Sequence, residues 1–461
     1  MTEKKNIKII IIGGGLVGSL CASFMGKRGH DVAVYEKRSD IRTAKLSPGR
    51  SINLALSHRG RRALRSVGLE NEILKTSIPM KGRLLHDLTG KTTSIPYDPV
   101  TNEVKFKFYG DSPTKLCIYS VGRNFLNQTL LRAAEKYPNV KLYFNQKLVS
   151  SNFNQGTVTL LNTNTCETYE EVAELIIGAD GAFSSLRRLM QQTPLFDFSQ
   201  KYIQHGYVEL SIPPERGHLI TPNHLHIWPR GEFMMIALPN QDNSWTLTLF
   251  MPFDKFENLK TEEGIRKFFW ETFPDSIELI EENELVRVFT RLNNPSTLVS
   301  VKCKPYHVGS KYLIIGDAAH AMVPFYGQGM NAGFEDCFLL DDLLGKLDED
   351  IQKTVNQFSE SRVESAQAIC DLAMYNYEEM KSLVTKLTYR IRRALDNALF
   401  KQFPDKWVPL YNSVSFSHMD YLQCLENRKW QDSVINKLLL LLITMLVWIA
   451  GFVSLKLWRA I

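Results

Sequence analysis

The most constraining feature of the chain lies at its start. Ile7–Ile12 is an apolar, β-branched run interrupted only by Lys8, short enough for a buried strand. Gly13-Gly14-Gly15-Leu16-Val17-Gly18 follows at once, and a helical pattern continues to about Arg28. Gly29 and His30 interrupt it, and Asp31–Tyr35 reads as a second strand ending at Glu36. A G-x-G-x-x-G between strand and helix, with an acid at the end of the next strand, predicts a βαβ unit that binds a dinucleotide. Gly13, Gly15 and Gly18 allow a tight turn and let a pyrophosphate approach the helix N-terminus. Glu36 stands where a carboxylate holds ribose hydroxyls. An acid there repels a 2′-phosphate, so the resident dinucleotide is FAD or NAD rather than NADP.

Two later stretches repeat the theme of an acid at a strand end. Ile177–Arg187 reads IGADGAFSSLR, which makes Asp180 part of a candidate cofactor loop. Tyr312–Asp336 reads YLIIGDAAHAMVPFYGQGMNAGFED: a buried strand, Asp317, a loop of small residues, Gly327-x-Gly329, and a helix opening near Met330 and Asn331. The glycines permit close approach to a flat ligand, and the helix start offers free N–H groups and positive dipole. Together with a single G-x-G-x-x-G, these turns favour FAD as the bound group.

The rest of the 461 residues sets the organisation. Apolar (44%) and charged (23%) fractions are those of a globular chain, and a net charge of +6, dispersed, does not call for nucleic acid. Seven scattered cysteines contain no C-x-x-C, so neither a metal site nor a redox pair is read, and free thiols fit a reducing compartment. MTEKKN runs straight into a strand, leaving no room for a cleaved leader. Gly82–Asp98 reads as a hairpin, Ser57 as the N-cap of a helix, and Ser120–Tyr137 as an amphipathic helix with Arg123 in its first turn. Strand patterns from His224 to Phe250 predict an antiparallel meander. The expected architecture is α/β: a discontinuous Rossmann-like domain over 1–195 and 302–345, an antiparallel substrate-binding sheet over 196–301, and a helical region over 346–430. Leu438–Leu455 is an uncharged run that spans about 27 Å as a helix, barely a bilayer core, and with no polar face to meet water it reads as a tail anchor. Lys381–Lys401 mixes basic and apolar residues and is a candidate second membrane contact.

GGGLVG with Glu36, GADG with Arg187 and GDAAH…P…GQGMN, in this order, resemble the flavin-dependent aromatic hydroxylases of the p-hydroxybenzoate hydroxylase type. The resemblance is closest to the members that hydroxylate kynurenine. It is carried by KGRLLHDL, IPYD, MVPFYGQGMNAGFEDC, MYNYEEM, PLYNSVSF and the apolar tail. It implies that Val17, Glu36, Lys37, Arg38 and Ala55 line the FAD nucleotide, that Arg123 and Leu148 contact its middle, and that Asp317 holds the ribityl chain. Met330 and Asn331 would present backbone N–H groups to the flavin. Arg83 and Tyr97 would bind the substrate carboxylate, Asn376 and Tyr411 complete the pocket, and Phe325 and Phe250 pack on the substrate ring. The loop His320-Ala321-Met322-Val323-Pro324 departs from the wider group, which carries proline directly after the histidine.

The implied reaction is 3-hydroxylation of L-kynurenine by O₂ through a flavin C4a-hydroperoxide, with NADPH as a transient reductant. No catalytic side chain is required, because the cofactor does the chemistry. The implied location is the mitochondrial outer membrane, catalytic body towards the cytosol. Membrane-associated relatives of the fold, such as squalene epoxidases and geranylgeranyl reductases, are the alternative. On residue type alone an arginine in a hairpin is a solvated surface group; only the resemblance promotes Arg83 to a carboxylate ligand.

Overall fold

The computed structural model describes residues 6–43, 53–98, 116–292 and 294–460. The polar, basic stretch Lys37–Gly49 and the apolar run Ser51–Leu56 that follows it lie partly outside them, as do the side chains of Lys456 and Arg459, the basic residues that follow the uncharged tail.

The N-terminal fingerprint folds as a six-stranded sheet. Lys8–Ile12 lies at its centre, flanked in parallel by Asp31–Glu36 and Leu175–Gly178, with Val140–Phe144 outside the former. Tyr312–Ile314 adds in parallel to Leu175–Gly178, and His307–Val308 closes that edge antiparallel. Sequence-distant strands thus share one sheet, because Ile9–Ile11, Ile176, Ile177 and Leu313 are apolar on both faces and need cover on both. Helices Leu16–Arg28 and Gly329–Lys346 pack together as part of that cover. Gly29 ends the first helix in the left-handed region (φ 95°), where its N–H reaches Gly26 O and the His30 N–H reaches Met25 O.

A seven-stranded sheet forms the second layer, ordered Ser296–Lys304, Asp197–Ile212, Trp245–Pro252, Met234–Pro239, Leu225–Pro229, Gly82–His86 and Thr92–Pro96. The meander expected from sequence is its centre. The hairpin at 82–96, which sequence order puts among the cofactor elements, joins its edge, with Gly82–His86 running parallel to Leu225–Pro229. Strand alternation gives the sheet two destinations. Trp228, Met235, Leu247 and Leu249 pack with helices Glu262–Thr272 and Glu282–Thr290, while Ile227, Met234 and Phe250 face Phe325 and helix Ile351–Lys381.

Two local expectations are corrected. Helix His58–Ser66 follows Ser57, but the Ser57 hydroxyl makes no cap; its N–H donates to Asn331 Oδ1 at 2.9 Å. The helix read over Ser120–Tyr137 runs Arg123–Glu135, because Ser120–Gly122 end the strand Ile118–Gly122; further on, the long helix ends at Lys381 and a new one runs Leu387–Gln402. The tail is longer than its apolar run. One helix, Tyr421–Ala460, starts packed on the body through Tyr421, Cys424 and Gln431 and is exposed from Asn436 to Leu455.

Candidate functional site

One cavity of about 720 Å³ runs between the two sheets, from Gly13 and Glu36 to Arg83 and Phe325. At its nucleotide end, Gly13 has φ 105°, and a Cβ there would meet Ala179 O at 2.6 Å. A Cβ on Gly18 would meet Gly13 O at 1.9 Å, so Gly18 serves helix–strand packing and does not reach the cavity surface. Beside Gly15 a Cβ would meet nothing within 4 Å, because that position faces open space. The Glu36 carboxylate accepts from Gly14 N–H (2.8 Å) and from Arg38 N–H and Nε (3.0 and 2.8 Å). Burial would raise its pKa, but these donors outweigh it and hold the group below its ordinary value. Lys37, Arg38, Ala55, Arg123 and Leu148 line the same half.

The strand-end acids line the middle. Asp180 Oδ2 accepts from the N–H groups of Ser185 and Leu186 and so also caps helix Ser185–Met190. Asp317 lines the cavity and is exposed there; the protein packed around it pushes its carboxyl up, against the pull of His320 and Arg123. Helix Gly329–Lys346 starts at this point with no side-chain cap, and Gly329 and Met330 border the cavity. The Asn331 side chain turns away: its Nδ2 donates to Ala55 O and Gly327 O (2.8 and 2.7 Å), and its Oδ1 accepts from Ser57. A phosphate cradle, a ribose carboxylate and an uncapped helix start, in one cavity, fit FAD.

The other end is aromatic around a single cation. Arg83, expected on residue type to be solvated, is 3% exposed. Its guanidinium lies 3.9 Å from the Tyr411 ring centre, Nη1 donates to Glu379 (3.0 Å), Nη2 to Asn376 Oδ1 (3.4 Å), and Nε has no partner among the described residues. Tyr411 stacks between Tyr97 and Tyr326, each at 5.5 Å. Phe325 meets Phe250 edge-on at 4.9 Å and stacks on Tyr377 at 3.9 Å. Asn376 stands behind the wall: its Nδ2 donates to Phe325 O at 2.7 Å, so it ties the aromatic loop to Arg83.

Glu379 was not anticipated. It follows Asn376 by three residues on one helix face, a spacing that puts both beside one partner, and its Oε1 also accepts from Tyr389. Because it backs the guanidinium away from the cavity, Glu379→Gln is expected to raise the substrate KM about 3- to 10-fold, the scale of one weakened charged hydrogen bond. kcat should hold, and steady-state kinetics with an unchanged KM would refute a positioning role.

A family profile described as FAD binding domain matches residues 6–373. Among solved structures, the tetrameric form of 2-methyl-3-hydroxypyridine-5-carboxylic acid oxygenase superposes with a TM-score of 0.64 at 21% identity, covering 82% of this chain and 93% of that one. PqsL of P. aeruginosa, in complex with 2-aminobenzoylacetate, gives 0.63 at 17% identity over 82% and 97%. Profile, fold and cavity define an FAD-dependent monooxygenase. The curated relatives narrow this. Kynurenine 3-monooxygenase of Anopheles gambiae is 55% identical over 95% of this chain and 87% of its own length, and that of Sus scrofa 45% over 94% and 89%. The chain belongs to the kynurenine 3-monooxygenase family.

Proposed function

We propose that the protein hydroxylates L-kynurenine to 3-hydroxy-L-kynurenine, using NADPH and O₂. The observation that carries the substrate is the buried Arg83 at the aromatic end of the FAD cavity. A planar guanidinium suits an α-carboxylate, and Phe250 and Phe325 offer apolar faces for the aryl ring. That cation also disfavours a terpenoid substrate, which has nothing to pair with it.

Bound FAD supplies the oxygen activation. The side chains bind, orient and shield. Arg83 and Tyr97 hold the amino-acid end, Tyr411 and Tyr326 close it off from water, and Phe325 sets the ring against the flavin side of the cavity. The helix start at Gly329 and Met330 stabilises negative charge developing nearby. An aniline activates its own ortho carbon, so no general base is needed. Glu36 disfavours a 2′-phosphate in the resident site, which supports a transient NADPH.

The test is NADPH oxidation by the yellow, FAD-loaded protein. L-Kynurenine should accelerate it and yield 3-hydroxykynurenine; absence of both would end the assignment.

The C-terminal helix is the one candidate span among the described residues and suggests membrane association. We place the anchor in the mitochondrial outer membrane with the FAD body towards the cytosol, a reading supported by the family resemblance. Removing residues 438–461 should abolish alkali-resistant retention in the membrane pellet. Retention of the truncated chain would show that the tail is not what spans.

A further inference from the structure

The strand that carries Arg83 is fastened from its other face. Gly82–His86 joins Leu225–Pro229 through three residue pairs: Arg83 with Leu225, Leu84 with His226, and Leu85 with Ile227. Arg83 lines the cavity, so by strand alternation His86 points to the opposite face of the sheet. His226 points the same way from the neighbouring strand, and both histidines are buried. His86 stacks on Trp228 with ring centres 4.0 Å apart, and Trp245 meets His226 edge-on at 5.1 Å.

The two rings lie in a chain of polar contacts. His86 Nδ1 is 2.6 Å from Asp275 Oδ2, at the start of helix Pro274–Ile280. His86 Nε2 is 2.8 Å from His226 Nδ1, and His226 Nε2 is 2.7 Å from Thr221 O. Each of these three gaps needs one hydrogen, and two neutral imidazoles supply two. Working inward from the ends locates the third. Thr221 O can only accept, so His226 donates from Nε2. Burial, against the pull of that carbonyl, pushes the His226 pKa down to about 3 and keeps the ring neutral, so its Nδ1 accepts. Burial alone would raise the Asp275 carboxyl, but His86 and the Trp228 indole N–H outweigh it and hold it below its ordinary value. Trp228 Nε1 stands 3.0 and 2.9 Å from the two Asp275 oxygens, the geometry of a carboxylate accepting. His86 is left donating from both nitrogens, an imidazolium set against a carboxylate. The other charged and titratable groups here are His224, edge-on to His226 at 6.5 Å, and Arg230, which donates to His86 O and Asp87 O. The Asp87 carboxylate turns back to Thr89 and Lys91 of its own turn.

We propose that His86 is a positioning residue for Arg83: its extra proton latches the edge strand to His226 and to helix Pro274–Ile280, and so sets where the guanidinium meets the substrate. The inference rests on Arg83 taking the substrate carboxylate, and the test separates the two. The latch is present at lower pH. Raising the pH removes the extra proton, leaves one gap with no hydrogen in it, and frees the strand.

The full-length, FAD-loaded protein is titrated with L-kynurenine without NADPH, and Kd is read from the absorbance of the bound flavin between about pH 6 and about pH 9. Wild type should bind about 3- to 10-fold more weakly at the upper end, the scale of one lost charged hydrogen bond. His86→Gln has no proton to lose and should bind at the weak level throughout, without a step. Position 226 needs one acceptor and one donor, which an amide also supplies. His226→Gln should therefore keep the step and His226→Leu should lose it. Titration of kynurenine itself is common to every variant and cancels in the comparison. Arg83→Ala distinguishes the two readings. If it weakens binding while His86→Gln keeps the wild-type step, the latch is overturned and the carboxylate role of Arg83 stands. If Arg83→Ala binds as wild type does, that role falls and the latch with it. Should His86→Gln not retain FAD, the pair at 226 decides: a step kept by His226→Leu, or lost by His226→Gln, overturns the proposal.

Discussion

Substituting alanine for Arg83 should lower kcat/KM for L-kynurenine by roughly 10²- to 10³-fold, the scale of removing one partner from a buried charge pair. The loss should fall on KM, because the carboxylate end of the substrate does not change during ring hydroxylation and binding there is uniform between ground and transition state. The geometry makes the effect specific. The guanidinium is held from behind by Glu379 and Asn376 and from one face by Tyr411, and it borders the cavity. Arg83→Lys should recover only part of the loss, since one ammonium cannot reproduce the fork that serves these partners and a carboxylate together. Decarboxylated kynurenine provides the control: wild type and Arg83→Ala should use it about equally poorly. Equal KM values for kynurenine itself would remove Arg83 from the site.

Asp336→Asn should destabilise the fold by about 3–5 kcal/mol, the cost of breaking a buried ionic cluster, which is a large share of the ~5–15 kcal/mol available to a domain. Asp336 is fully buried. Its Oδ2 accepts from Gly316 N–H (2.8 Å) and faces His320 Nε2 (2.6 Å), and its Oδ1 accepts from Arg362 Nε (2.7 Å). Arg362 also meets Glu335, which pairs with Arg59. An asparagine keeps the shape but turns an N–H₂ towards one of these donors. The cluster joins the strand end before Asp317 to the helix that starts at Gly329, so FAD affinity should fall with stability.

The pH dependence follows in sign. Burial alone would raise the Asp336 pKa, but His320, Arg362 and the Gly316 N–H outweigh it and hold the carboxyl well below the usual range. Its contribution is therefore complete above about pH 4, the unfolded value for aspartate, and is lost as pH falls towards the folded value. Urea midpoints of wild type and Asp336→Asn should differ clearly at pH 7 and converge in acid. Equal midpoints at pH 7 would sink the assignment.

These two residues show how much could be read beforehand. Asp336 closes the stretch that the sequence marks as a cofactor turn, yet nothing near it announces Arg362, 26 residues on. His320, which opens the loop that departs from the wider group, has this aspartate as its partner. Arg83 read as solvated until the resemblance was invoked, because hairpin position says nothing about burial. Burial came when the hairpin paired with Leu225–Pro229 and Tyr411 closed over the guanidinium.

By itself the sequence determined what is local. The glycine turn, the acid at the next strand end, the uncapped helix start and the uncharged tail each depend on a few consecutive residues and their backbone freedom, so spacing and residue type suffice. Only the tertiary structure decided what depends on long-range pairing: the edge hairpin in the second sheet, and Asn376 and Glu379 behind Arg83. Those contacts join segments up to some 300 residues apart. They follow from how two sheets and a long helix share buried surface, and no short window of residue types encodes that.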